Sequence, residues 1–575
     1  MKLHRFTLLI AALLITSAAI AQQTQVEPSA TELQKHVSYL ASDKLDGRRT
    51  GTQGANDAAR YIAAEFERLG LRPAPATDSR KINVMSARYL QTFPYIGRVD
   101  LGKNNVLSVR GGETLRVGED WMPLGISPNQ KLDLTGVVSA GYGITANELN
   151  HNDYKGTYSK TQAALIQKGT PDGDNPHGKF TTAGQLRFKV AAAQSAGVGA
   201  LLIISSEDSL KDDALASLRY DNAGLAGIPV AVISKQAAEK LANAKEVTLR
   251  TDVVRADVPA HNVVAVIEGS DPVLKDEYIV VGAHYDHLGR GGEGSLAERP
   301  GEIHHGADDN ASGTAGVLEL ARVFSAQRSR LKRTLVFIAF SGEEEGLLGS
   351  NYYVNHPLTP LDKTIAMINM DMIGRMKDGK LSIGGVGTAK EWRQIIGTGE
   401  TFALTLNEDG YGPSDHASFY MKQVPVLFFF TGNHSDYHKP SDTFDKINYN
   451  DEARILTMVA RIVRDIDTAD QRLTFTTAKA DPPRGGGFRV YLGTIPNYAD
   501  TNDGLLLDGV RDDSPAAKAG LKAGDRVVKI GSRDVKNVYD YTAALGEMKA
   551  GQEYVIEVMR GSEKLTLKIV PAARN

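Results

Sequence analysis

Five short stretches of this chain place acids and imidazoles where they could hold metal ions and move protons. They are His284 and Asp286 in Gly282-Ala-His-Tyr-Asp-His287, Asp308 and Asp309 in the run from Gly306 to Gly313, Glu343 and Glu344 between Gly342 and Gly346, Asp371 after Asn369-Met370, and Asp436-Tyr437-His438 with Asp442. Adjacent carboxylates are costly in a dry core. At a ligand-binding edge, one can bind a metal while its neighbour takes a proton from the attacking water. Two His and three or four carboxylates suit a pair of zinc-like ions, because imidazole and carboxylate both bind zinc. Two ions ~3.5–4 Å apart need a bridging carboxylate. Two divalent ions against three carboxylates leave one positive charge, which a hydroxide neutralises, and a fourth carboxylate is then free to act as base. Taken singly, each stretch has a plainer reading. A lone His at a strand end is usually hydrogen-bonded, and Asp308 or Asp309 could cap the helix that follows. Five such stretches at one edge are hard to explain as caps. The spacing does not choose between Asp308 and Asp309.

The surrounding residues predict elements that would bring these stretches together. Thr334–Phe340 is an apolar run of the kind found in buried parallel strands. Residues 263–267, 278–282, 365–369 and 426–430 also read as strands. Helical spacing predicts helices at 32–40, 57–69, 312–327 and 452–466. Strands alternating with helices over about 258–470 imply an α/β fold with a mixed, mostly parallel sheet between helices. In such a sheet, strand ends far apart in sequence meet in one crevice.

Residues 1–21 carry a basic start, an apolar run from Phe6 to Ile15 and Ala19-Ile-Ala21, the pattern of a cleavable export signal. The mature protein is therefore expected in a bacterial periplasm or outside the cell, with no membrane span. Residues 22–125 and 256–472 read as two parts of one catalytic domain, with an insertion at 126–255. A linker at 473–487 then precedes a small domain at 488–573. The glycine-rich stretch from Asp46 to Gly54 lacks the context of a phosphate loop and reads as structural. His151 and His177 are isolated in the insertion and read as surface residues. The chain has no cysteine, which excludes disulfides and thiolate metal sites. Its net charge of −3 among 575 residues gives no reason to expect nucleic acid as a partner.

Together these motifs resemble the co-catalytic dizinc peptidases, including aminopeptidase Y, the bacterial leucine aminopeptidases, glutamate carboxypeptidase and the non-catalytic transferrin receptor. The resemblance implies two Zn2+ ions per chain. It gives His284 and Asp371 to one ion, Glu344 and His438 to the other, and Asp309 to both. It implies Glu343 as general base, Asp286 as the carboxylate orienting His284, and Tyr437 as a donor to the oxyanion. It also implies a cis peptide after Asp309. The insertion resembles a β-rich protease-associated domain in residues 165–170 and 196–203. Residues 488–573 resemble a PDZ domain, with Tyr491–Pro496 at the carboxylate-binding loop, although that loop departs from the usual Gly-Leu-Gly-Phe form. The implied activity is release of N-terminal residues from peptides with a free N-terminus, with a possible C-terminal peptide at the PDZ groove. Carboxypeptidase or dipeptidase action on the same scaffold is the alternative, with Arg290, Arg299 and Arg375 as candidate cations. A non-catalytic peptide-binding protein is a further one.

Overall fold

The computed structural model describes residues 26–573 apart from 75–85, 147–148, 174–178, 181–182, 222–223, 243, 293, 298, 300, 398–401, 479–489, 498–503 and 512. The export signal, His177 and most of the expected linker lie outside the described residues.

Four apolar strands form the centre of the main sheet: Thr334–Phe340, Tyr278–His284, Thr364–Met370 and Val426–Phe430, neighbours in that order and all parallel. Every residue of Thr334–Phe340 and Thr364–Met370 is buried, because helices cover both faces. Successive side chains divide between the two covers. Leu335, Phe337 and Ala339 pack towards Ala30–Leu40, Gln53–Arg68, Gly313–Ser325 and Tyr449–Thr468. Val336, Ile338 and Phe340 pack with Tyr353 of helix Leu348–Asn355 and Phe419 of helix His416–Tyr420. Antiparallel strands extend both edges, among them the long strand Val253–Ile267 beside Thr334–Phe340. The mixed, centrally parallel sheet is the one expected from the sequence.

The helix expected at 312–327 runs over Gly313–Ser325, preceded by a wide turn at Ala307–Ser312 in which Asp309 and Asn310 leave helical geometry. The Asp309–Asn310 peptide is cis. Helix Tyr449–Thr468 closes the domain, its N-terminus capped by the Asn448 side chain.

Two further sheets pack on each other between the two parts of this domain. Gly136–Ser139, Gln162–Gln167, Ala200–Ile204 and Val230–Ile233 run parallel, with Trp121–Pro123 antiparallel at the edge. Val106–Val109, Gln130–Leu134 and Val247–Thr251 make the second sheet, so strands before residue 126 pair with strands beyond it. Both sheets meet in one apolar layer around Trp121, Leu202 and Leu249. At the C-terminus an antiparallel sheet runs through Thr494–Pro496, Leu505–Val510, Asp525–Ile530, Tyr554–Arg560 and Glu563–Ile569, with helix Val538–Glu547 against it. Among the described residues, no helix is long and apolar enough to cross a membrane.

Candidate metal centre

The four central strands point the same way, so their carboxyl ends deliver the acids and imidazoles to one place. His284 is the last residue of its strand and Asp371 follows the last residue of another. Glu343 and Glu344 lie three and four residues past Phe340, beyond the tight turn at Gly342 (φ 76°). His438 comes from the loop after Phe430 and itself takes a left-handed backbone (φ 56°).

Donor atoms on two ions at zinc-like bond lengths of ~2.0–2.1 Å should sit about 3.3 Å apart on each tetrahedral edge. The separations here match. His284 Nε2 is 3.4 Å from Asp371 Oδ1 and 3.5 Å from Asp309 Oδ1. His438 Nε2 is 3.2 Å from Asp309 Oδ2 and 3.3 Å from Glu344 Oε2. The two oxygens of Asp309 therefore face two different donor sets. Asp371 Oδ1 is buried without a hydrogen-bond partner among the described residues, as a metal-facing oxygen would be. The nitrogen and oxygen donors thus fit zinc. Glu343 Oε2 stands outside both sets, 3.9 Å from His284 Nε2. It can be grouped with His284 and Asp371 by proximity alone, but Asp309 lies closer to His284 than Glu343 does. His284 is buried, whereas Glu343, Asp371 and His438 keep 11%, 11% and 14% of their side-chain surface, so the centre is open on the side of these three residues.

Neighbouring groups hold each of these residues. Ser414 Oγ donates to Asp371 Oδ2 at 2.7 Å and accepts from Asn369 Nδ2. The backbone N–H groups of Asp308 and Asp309 both donate to Asp442 Oδ2. Asp308 does not join the cluster. Its carboxylate accepts from the N–H of Gly374 at 2.7 Å and from Ser312 Oγ, and meets His434. The helix-cap reading of these two acids therefore does not hold: Asp308 ties down a neighbouring loop and Asp309 faces the donors.

Asp286 sits beside His284, but the nearest acceptor for His284 Nδ1 is the Asp286 carbonyl oxygen at 3.2 Å, with the carboxylate at 3.7 Å. That carboxylate accepts from Thr50 Oγ1 and from the Glu343 N–H. It therefore links His284 to the segment that carries Glu343. Tyr437 stacks its ring on His438, centroids 3.8 Å apart.

The sequence gives no functional signal at Thr50, Arg48 or Ser414, and Asp442 and His287 stand there only among the ligand-type residues, with no role of their own. Thr50 and Arg48 lie in the stretch read as a structural loop. Arg48 is fully buried and donates to the carbonyls of Leu40, Tyr285, His305 and Gly306. It brings a cation beneath the acids and holds the backbone of two ligand segments. Its burial lowers its pKa to about 10, with Asp286 and Asp309 opposing.

The adjacent glutamates are pushed in opposite directions. Burial raises Glu343 well above the usual carboxylate range; His284 opposes this, while Asp371 and Glu344 add to it. Burial also acts to raise Glu344, but His287 and His438 outweigh it and hold Glu344 well below that range. In the metal-free chain Glu343 therefore holds a proton more tightly than its neighbour Glu344.

Parts of the chain match known proteins. Residues 262–463 match Peptidase family M28, and residues 492–570 match the PDZ domain. The chain is 27% identical over 464 residues to aminopeptidase YwaD of Bacillus subtilis, covering 77% of this chain and 87% of that one. It is 31% identical over 202 residues to a probable leucine aminopeptidase of Arthroderma otae, covering 33% of this chain and 54% of the relative. Among solved structures, a zinc aminopeptidase from Bacillus subtilis shares the fold, with a TM-score of 0.50, 23% identity, and coverage of 77% of this chain and 96% of that one.

Proposed function

We propose that this chain, a zinc-dependent peptidase with a family M28 catalytic domain and a C-terminal PDZ domain, is an exported dizinc aminopeptidase. The observation that carries the two-ion reading is Asp309, whose oxygens lie 3.5 Å and 3.2 Å from imidazoles of two separate donor sets. His284, Asp371 and Asp309 would hold one ion, and Glu344, His438 and Asp309 the other. Bound zinc would supply a Lewis acid for the scissile carbonyl and acidify the attacking water.

The remaining steps belong to the chain's own side chains. Glu343, beside His284 and in neither set, takes a proton from the attacking water. The water's oxygen bonds to the scissile carbon. Glu343 then returns the proton to the leaving nitrogen as the C–N bond breaks, so one water is consumed for each residue released. Tyr437 is held against His438 and donates to the developing oxyanion. Asp286 keeps His284 and the Glu343 backbone in register.

The inserted sheets supply one wall of a cavity of about 400 Å3, with Leu124, Ile126 and Tyr220 facing Ser295 and Arg299. Gly292 and Ser295, which also line it, stand on either side of Gly294, whose carbonyl is 2.7 Å from His438 Nδ1, so residues beyond the scissile bond would be held here. The PDZ groove, between strand Thr494–Pro496 and helix Val538–Glu547, opens into a cavity of about 470 Å3 shared with Leu347 and Met421. An extended C-terminal peptide could add a strand there. Export rests on residues 1–21.

A second reading, carboxypeptidase or dipeptidase, has one specific observation in its favour. Arg290 pairs with Asp46 and Arg375 with Asp436. Arg219 and Arg299 both line the 400 Å3 cavity, and among the described residues neither forms an ion pair. They could hold a substrate carboxylate.

Aminoacyl-anilides and free-acid peptides, each assayed beside its N-acetylated form with and without a chelator, separate these readings. Cleavage confined to free amines, lost on chelation and restored by zinc, is expected. Chelator-sensitive cleavage of the acetylated peptides would refute the aminopeptidase reading and favour the second.

A further inference from the structure

His287 follows Asp286 in the sequence and takes part in none of the steps above. Its side chain is fully buried, with Nδ1 2.6 Å from Glu344 Oε1. A carboxylate can only accept, so the proton of this bond is on Nδ1. The distance is too short for two donors on one ion, which should be about 3.3 Å apart. His287 Nδ1 also lies 4.0 Å from Asp309 Oδ2, too far for a shared tetrahedral edge. The contact is a hydrogen bond, so Nδ1 is not a further donor to the ion. Nε2 is buried without a hydrogen-bond partner among the described residues, but it lies on the far side of the ring, because Nδ1 is the nitrogen nearer both Glu344 and Asp309.

The ring is clamped in this position. A Cβ on Gly306 would come within 2.5 Å of His287 Cγ and Cδ2, so the glycine that opens the Gly306–Gly313 stretch makes room for the imidazole. Gly306 also holds φ 55°, which favours glycine independently. The rings of His304 and His438 lie 6.4 Å and 5.9 Å away. Glu344 thus has one oxygen on His287 and the other 3.3 Å from His438 Nε2.

We infer that His287 is a positioning residue for one of the two metal subsites: it holds Glu344 by Oε1 so that Oε2 faces the position shared with His438 and Asp309. The inference rests on the two-ion reading above and deepens it. A carboxylate ligand fixed by its outer oxygen loses less rotamer freedom when the ion binds. Partners of this kind typically change metal affinity by ~10–100-fold.

The test is zinc titration by calorimetry on the metal-stripped full chain, with cobalt(II) absorption as a second readout of coordination. His287→Phe keeps a ring and removes the N–H. His287→Asn keeps an N–H donor at the reach of Nδ1. The phenylalanine variant is expected to weaken one zinc site by ~10–100-fold and leave the other unchanged, with the cobalt spectrum altered at one site only. The asparagine variant should recover most of the loss. Wild-type affinity at both sites in His287→Phe, or equal weakness in both variants, would overturn the inference. If wild-type protein itself takes up fewer than two ions, the two-ion reading falls first and this inference with it. Should His287→Phe fail to fold, His287→Gln replaces it. Its amide lies one bond beyond the required reach, and weak binding at one site is again expected.

Discussion

Replacing Glu343 with glutamine separates the proposed base from the ligands. Glutamine has the same shape, and Glu343 is not among the donor atoms at 3.2–3.5 Å that would surround the ions. Zinc content should therefore stay at the wild-type level. General-base catalysis contributes ~10²–10⁴-fold, or about 2.7–5.5 kcal/mol of barrier. The expected result is a fall of that size in kcat on an aminoacyl-anilide, with KM little changed. The same variant has a second, independent signature in the metal-free protein. Burial among acids raises Glu343 above its unfolded value of 4.5. The folded state then binds a proton more tightly than the unfolded chain, so this group's relative contribution falls as pH rises past the unfolded value. Metal-free Glu343→Gln should match wild type in melting temperature near pH 4 and exceed it increasingly towards neutrality. Full zinc content with kcat within tenfold of wild type would refute the base assignment. An unchanged melting difference across pH would refute the account of Glu343 burial.

Asp286→Asn should lower kcat while weakening zinc binding by only about tenfold, the low end for such partners, because the nearest acceptor for His284 is the Asp286 carbonyl and survives the change; kinetics and calorimetry on one preparation check this. Gly306→Ala places a Cβ 2.2 Å from the Asp309 carbonyl as well as against His287. The left-handed backbone alone costs ~1–2 kcal/mol, so a lower denaturation midpoint and weaker zinc uptake are expected together. His36 is buried beside Tyr61, and burial, only partly offset by Glu65, lowers its pKa from 6.5 to about 4. The unfolded chain therefore takes up this proton first on acidification, and up to ~3 kcal/mol of stability is lost between those values. Comparing the pH dependence of unfolding for wild type and His36→Gln should show the loss in wild type only.

The framework of the site was legible because its cause is local. Thr334–Phe340 and Val426–Phe430 are apolar runs bounded by polar turns, and they form strands with those limits. Helix Tyr449–Thr468 extends its expected core by three residues at the start and two at the end, where Asn448 provides a cap that periodicity does not report. Parallel strands joined by helices send their carboxyl ends to one side, so acids and imidazoles placed just beyond those ends could be expected to converge.

Which of those groups face one another was not legible in the same way. Asp308 and Asp309 are chemically identical neighbours. Only the turn at Ala307–Ser312, held by Asp442 from 134 and 133 residues away, aims one at the donors and the other at Gly374. His287 reads as one more histidine after Asp286 until Glu344 is found 2.6 Å from it. Thr50 and Arg48 sit in a loop whose glycines suggest only turns, yet they reach more than 200 residues along the chain to Asp286 and the His305–Gly306 backbone. Continuous apolar runs and helical periodicity, both local to their segments, set the sheet and the edge at which chemistry could occur. Tertiary structure decided the pairing at that edge, because hydrogen bonds between distant segments depend on the register and tilt with which elements pack, and periodicity within one element carries no record of either.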